Sequence, residues 1–424
     1  MKKEFFESDI GESYVKAVHS SGLQIYILEK TQYKSAYAIF GTKYGSIDTC
    51  FSVDGSETKV PEGIAHFLEH KLFESEDGDA FTKYAKTGAY ANAFTSFDKT
   101  CYLFSCSDKF YENLDILLNF VQSPYFTQAT VEKEQGIIGQ EIRMYDDSPG
   151  WRVMFNMLLS MYKNHPVRID IAGTTDSIAQ IDADLLYKCY NTFYNPSNMF
   201  LCIAGNVDTD RILKQVKESL KPSEPIEITR INEEEPQEIV KPYVEQSLAV
   251  AQPLFCFGYK ETMEKPIRSV KERIRTAILM EIIAGETSPL YKRLTDEGLI
   301  NDEFSSEYFT GNGYAAVIFE GESKDPQRVA EEIKKEVDRI KIEGIDKKLF
   351  SAIRCGMYGN AIRMFDSVEG IAMQFVDCAM LSSGLFDEIK YLKSVTADDV
   401  FKRISLLDNN KTVLSVINPI EAQE

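Results

Sequence analysis

The sequence predicts an α+β fold made of two similar halves, and three observations carry that expectation. The chain has 424 residues, long for one domain and comfortable for two, and its 44% hydrophobic content lets each half bury a core. Residues 222–242 contain Pro222, Pro225, Pro236 and Pro242 and the acidic run Glu233-Glu234-Glu235, with no helical period, so they read as a linker. That divides the chain into 1–221 and 243–424. On both sides of the linker the order of elements is the same: strand-like segments, a helix-rich stretch, an alternating hairpin, then more helices. The shared order suggests an internal duplication, although residue identity between the halves is slight.

In chain order, Leu23 to Leu28 and Tyr37 to Phe40 read as strands. Ile64 to Phe73 repeats at helical spacing, with Pro61 suited to a first turn and Gly63 allowing close packing. Tyr90 to Cys106 reads as a hairpin, because Thr100 to Cys106 alternates after a short Phe97-Asp98-Lys99 turn. Val131 to Tyr145 is helical in period, and its apolar face gathers Ile137, Ile138, Ile142, Met144 and Tyr145. In the second half Leu248 to Tyr259 is strand-like, and Glu307 to Gly321 forms a hairpin pattern around Gly311-Asn312-Gly313.

The chemistry concentrates in His66-Phe67-Leu68-Glu69-His70, which reads H-x-x-E-H. The chain has four histidines, His19, His66, His70 and His165, and two of them stand here at i, i+4. On a helix His66, Glu69 and His70 share one arc of about 100°. Two imidazoles and a carboxylate then converge, which is the donor set zinc favours beside an acid/base group. The competing reading is a solvated helix face, for which chance spacing of this kind is of the order of a few per cent.

A catalytic zinc site usually takes three protein ligands plus water. The third donor is sought in the Val131 to Tyr145 helix, where Glu134 and Glu141 fall two turns apart in the middle of the apolar face. A carboxylate there is costly unless a cation or hydrogen-bond donors meet it. A metal would resolve that cost for one of the two, and the other could orient a ligating imidazole through its free N–H. Solvation of both glutamates, or pairing with a lysine, is the alternative. Glu74, Glu76 and Asp77 are nearer rival ligands in a polar, loop-like stretch.

These segments together resemble the insulinase, pitrilysin and mitochondrial-processing-peptidase family of inverted-motif zinc metallopeptidases. Gly63-Ile64-Ala65-His66-Phe67-Leu68-Glu69-His70-Lys71-Leu72-Phe73 is similar to its zinc helix, and Glu134 to Glu141 to its downstream segment, where two glutamates are also seven apart. The resemblance implies one Zn2+ per chain on His66, His70 and Glu141, Glu69 as catalytic base and Glu134 as support for the site. Ala91-Asn92-Ala93-Phe94-Thr95-Ser96 resembles the family strand that pairs with a bound peptide, which implies Asn92, Ala93 and Phe94 as substrate-binding residues. Tyr194-Asn195-Pro196-Ser197-Asn198-Met199, Ala204-Gly205-Asn206-Val207-Asp208 and Ser394-Val395-Thr396-Ala397-Asp398-Asp399-Val400 extend the likeness over nearly the whole chain. The family architecture implies that each half is a mainly antiparallel sheet with helices packed on it, the first half catalytic and the second not.

Net charge is −19 with a sequence pI near 4.8, which argues against nucleic acid as a partner. No secretory signal, transit peptide or membrane span is recognisable, and eight scattered cysteines without C-x-x-C suit a reducing compartment, so a cytoplasmic protein is expected. One segment departs from the family pattern. Where members commonly carry an arginine and a tyrosine that hold substrate, Thr295 and Asn301 stand here, with Tyr291, Arg293 and Tyr308 near but out of register. A developing oxyanion needs fixed donors. The expectation is therefore a zinc endopeptidase that cleaves peptides as the zinc-bearing subunit of a dimer. The partner is a related zinc-less chain that supplies the missing donors, or another copy, in which case Arg293 or Tyr308 shifts into the role. A non-catalytic scaffold of the same fold is the alternative, and a zinc hydrolase of non-peptide substrates is a third.

Overall fold

The structure is a computed structural model and describes residues 1–76 and 78–420. It divides into two compact units, each assembled from three stretches of chain.

The first unit contains 1–142, 170–232 and 362–386. Its seven-stranded sheet runs, edge to edge, Lys2–Glu7, Ser13–Val18, Gln24–Glu29, Met199–Gly205, Ala36–Thr42, Thr100–Cys106, Tyr90–Thr95. Gln24–Glu29 and Met199–Gly205 pair in parallel, and every other neighbour is antiparallel. Ala36–Thr42 and Met199–Gly205 are buried along their whole length, as central strands covered on both faces must be. The second unit contains 143–169, 233–361 and 387–424. Its five-stranded sheet runs Tyr243–Leu248, Thr412–Pro419, Leu254–Lys260, Tyr314–Glu322, Ser305–Gly311. Here Tyr243–Leu248 and Thr412–Pro419 are the parallel pair, and the rest is antiparallel. Strand for strand, this order reproduces the last five strands of the first sheet. Both halves are therefore α+β with mainly antiparallel sheets, and the duplication is visible in the topology.

The sequence expectation of a linear cut at 222–242 is corrected in two respects. First, helix Pro149–Met161 packs on the second sheet, and helix Val368–Leu381 packs on the first. Both helices are apolar enough to serve either sheet, so composition carries no sign of the exchange. Second, the linker is not free chain. Ile228–Arg230 pairs with Cys50–Val53 in the first unit. In the second unit the Glu235 carboxylate accepts hydrogen bonds from the backbone N–H groups of Lys163, Asn164 and His165 and from Lys260 Nζ. The strand-like Leu248 to Tyr259 is two strands separated by a bend, and the second hairpin turns at Asn312-Gly313, with Gly313 at φ 88° as a tight two-residue turn requires. Among the described residues, no helix is long and apolar enough to cross a membrane.

Candidate metal centre and active site

The H-x-x-E-H stretch lies on helix Ile64–Leu72. Pro61 stands outside it. The helix begins after Gly63, whose φ of 85° and approach to the Ala172 carbonyl leave no room for a Cβ. Eight of its nine residues are buried, including His66, Glu69 and Lys71, so this is not a solvated face. Lys71, fully buried, pairs with Glu74, which engages one of the rival ligands. Glu76 is exposed at the rim, and Asp77 lies outside the described residues.

The two glutamates come from helix Gln128–Asp146. Its packed face is narrower than its sequence implies. Val131, Ile138, Gly139 and Ile142 are buried, whereas Ile137 is 44% and Met144 70% exposed. Glu134 and Glu141 flank that face and point at the histidine helix. His66 Nε2 is 3.7 Å from Glu141 Oε1, and His70 Nε2 is 3.5 Å from Glu141 Oε2. One donor atom from each of the three lies within 4.8 Å of the others, the one such cluster among the described residues. Ligands about 2.0–2.1 Å from a tetrahedral ion stand about 3.3 Å apart, so the spacing and the nitrogen and oxygen donors both fit zinc.

Protonation differs between the two imidazoles. Burial, and then the neighbouring His70, push His66 down to about 4, so its imidazole is neutral near pH 7. Burial also lowers His70, but the Glu134 hydrogen bond and the charges of Glu69, Glu141 and Glu134 outweigh it and hold His70 above its ordinary value. His70 Nδ1 donates to Glu134 Oε1 at 3.1 Å, which fixes the ring and leaves Nε2 directed at Glu141. Burial raises the Glu134 carboxyl, and that hydrogen bond with His70 reverses it to a net lowering.

Glu69 is buried beside the cluster without belonging to it. Burial lifts its carboxyl above the usual range, and hydrogen bonds from Thr95 offset part of the rise. Thr95 Oγ1 donates to Glu69 Oε2 at 2.7 Å. Sequence reasoning assigns Thr95 to a strand and no more, because its nearness to Glu69 arises only in the fold.

Tyr90–Thr95 is an edge strand, so half of its main-chain groups have no sheet partner. Ser96 N–H donates to Lys99 C=O, and alternation from there turns the backbone of Phe94 and Asn92 toward Thr100–Cys106. Ala91, Ala93 and Thr95 present theirs at the open edge. Asn92 Oδ1 accepts from Ala93 N–H at 2.9 Å. Asn92 and Ala93, with Glu69, His70, Phe73, Phe81 and Glu134, line a cleft of about 590 Å³, while Phe94 does not line it.

The other two histidines are structural. His19 Nδ1 meets Ser21 Oγ, and His165 accepts from Val167 N–H while its Nε2 meets Asn312 C=O at 3.0 Å. In the second unit Arg293 pairs with Glu332, and Tyr308 is held by Glu261 and Arg403. Asn301 donates to Glu322. Neither Arg293 nor Tyr308 stands unengaged to replace the family arginine and tyrosine.

Residues 54–175 match the insulinase family model (peptidase family M16), and residues 180–356 match the peptidase M16 inactive domain. The Bacillus subtilis protein YmfH, named an uncharacterised zinc protease, is 43% identical over 390 residues and 90% of each chain. YmxG of the same organism, also named a zinc protease, is 26% identical over 326 residues, covering 74% of this chain and 78% of its own. A solved M16-like structure from Alicyclobacillus acidocaldarius superposes with TM-score 0.94 at 34% identity, covering 98% of this chain and all of that one. A Helicobacter pylori protease shares the fold at TM-score 0.84 and 18% identity, over 96% and 100% of the chains. The chain belongs to the insulinase family, peptidase family M16.

Proposed function

We propose that the chain is a zinc-dependent endopeptidase and the zinc-bearing subunit of a dimer. The observation that carries this reading is the convergence of one donor atom each from His66, His70 and Glu141 within 4.8 Å, with Glu69 buried alongside. His66, His70 and Glu141 would hold the ion, and Glu134 would fix the His70 ring. Bound zinc would supply a Lewis acid for the scissile carbonyl and make a water acidic enough to lose its proton near neutrality. Glu69 accepts that proton as the water attacks the carbonyl carbon, and it then delivers a proton to the leaving amine nitrogen. Its raised proton affinity suits both transfers. An extended peptide adds to the open edge of Tyr90–Thr95, where main-chain pairing at Ala91 and Ala93 orients it and Asn92 contacts it. The inactive-domain match covers 180–356 and includes none of His66, Glu69, His70, Glu134 or Glu141, so it leaves this reading intact.

Thr295 and Asn301, with Arg293 and Tyr308 already paired, support borrowing of the missing donors from a second subunit. Assays of the chain alone and with a related zinc-less chain test this; full activity of the isolated chain sinks it. All eight cysteines are unbonded, in keeping with a cytoplasmic setting that fractionation of the native protein would check. For the main reading the test is Glu69→Gln. The variant should retain zinc and lose cleavage of an unstructured peptide, and unchanged cleavage would overturn it.

A further inference from the structure

We propose that Thr95 is the positioning residue for Glu69, and that it ties the base to the strand on which substrate adds. The proposal rests on the reading of Glu69 as general base and adds a residue to it. Three observations support it.

The first is the contact itself. Thr95 Oγ1 donates to Glu69 Oε2 at 2.7 Å. A carboxylate at the end of a glutamate side chain turns about a broad, two-fold torsion. A hydroxyl held on the neighbouring strand fixes that rotation.

The second is the anchoring of Thr95. It lies directly opposite Thr100 in the antiparallel register, and their hydroxyl oxygens are 3.4 Å apart. Thr100 is fully buried and gives its proton to Tyr44 C=O at 2.9 Å. Its proton is thus committed, and the Thr95 proton goes to the nearer, charged acceptor.

The third is a contrast with the second unit. Phe309-Thr310 precedes the turn there as Phe94-Thr95 does here. The Thr310 hydroxyl donates to Tyr314 C=O at 3.3 Å, within its own hairpin. A threonine at this place is therefore not forced by hairpin geometry to reach the neighbouring helix. The Thr95 contact belongs to the unit that carries the site.

Base catalysis depends on the orientation of the accepting oxygen, and a misplacement near 1 Å can cost about 100-fold. The test compares Thr95→Val, which keeps shape and strand preference, with Thr95→Ser, which keeps the hydroxyl, in the full-length chain with one equivalent of zinc and the related zinc-less chain present. Thr95→Val should retain one zinc per chain, lose about 10- to 100-fold in kcat and change KM less than about threefold. Thr95→Ser should recover most of kcat, and Thr95→Val should add no further loss in a Glu69→Gln background. An unchanged kcat, a loss confined to KM, no rescue by serine, or an additive loss would each overturn the proposal. Crystal structures of both forms supply a readout independent of turnover. The Glu69 carboxylate should be rotated or disordered in Thr95→Val, and an unmoved carboxylate contradicts the proposal. Should the unaltered chain cleave nothing even with the related zinc-less chain present, the peptidase reading fails, and these structures still decide the role of Thr95.

Discussion

The two units offer the same frame with and without the His66, His70 and Glu141 cluster. Ala65-His66-Phe67-Leu68-Glu69-His70 aligns with Ala277-Ile278-Leu279-Met280-Glu281-Ile282 on helix Val270–Ala284, which contacts edge strand Ser305–Gly311 as the histidine helix contacts Tyr90–Thr95. Gly136-Ile137-Ile138-Gly139-Gln140-Glu141-Ile142-Arg143-Met144-Tyr145 aligns with Gly356-Met357-Tyr358-Gly359-Asn360-Ala361-Ile362-Arg363-Met364-Phe365. The imidazoles of the first unit become Ile278 and Ile282, 0% and 3% exposed, and Glu141 becomes Ala361. Glu134 becomes Arg354. Only the base position persists as Glu281, whose carboxyl is held above the usual range by burial and by Glu286. The lesson is that the frame does not depend on the cluster. Where no ion is to be held, the same positions are filled with apolar side chains.

That comparison can be broken in several ways. The largest effect falls on the base. Glu69→Gln should lower peptide cleavage by roughly 10²–10⁴-fold with zinc content unchanged, while Glu281→Gln should leave cleavage intact. Next is the exchange of ligands for packing residues. The combined His66→Ile, His70→Ile and Glu141→Ala variant should bind no zinc and stay folded, within about 1 kcal/mol of the metal-free parent in urea denaturation. The reverse change Ile278→His should destabilise the chain by about 2–4 kcal/mol, because a buried imidazole there has neither ion nor partner. Equal stability losses for the two variants would show that the frame does depend on its ligands.

Smaller effects follow from the support and from pH. Glu134→Gln should weaken zinc affinity about 10- to 100-fold, as removal of a ligand's hydrogen-bond partner does. His66 is already neutral near pH 7, whereas the raised His70 must release a proton before its nitrogen can coordinate. Protons and metal therefore compete at His70, and competition grows as pH falls through its raised value. Zinc affinity, measured by titration against a chelator, should fall about tenfold per pH unit below that point. In Glu134→Gln the onset should move to lower pH, since the hydrogen bond that raises His70 is gone.

Much of this was legible in the chain. The histidine pair and Glu69 stood out because four histidines leave little room for coincidence. The need of a carboxylate on an apolar face for a partner singled out Glu134 and Glu141 together, and only the family resemblance told the two apart. What sequence could not supply was the identity of the covering neighbour. Ile137 and Met144 share a helical face with Ile138 and Ile142 by period, yet they are exposed, since periodicity does not say which side another element covers. The exchange of helices Pro149–Met161 and Val368–Leu381 was hidden for the same reason. The repeated Gly-x-x-Gly followed by Ile-Arg-Met was readable at a spacing of 220 residues, between Gly136 and Gly356, and would have set the pairing of the halves directly.

The most direct test of the central claim is metal analysis of the purified chain beside its Glu141→Ala and Glu69→Gln variants. One zinc per chain in the parent, one in Glu69→Gln and none in Glu141→Ala is the predicted result. Zinc retained in full without Glu141, or absent from the parent after incubation with the metal, would contradict it.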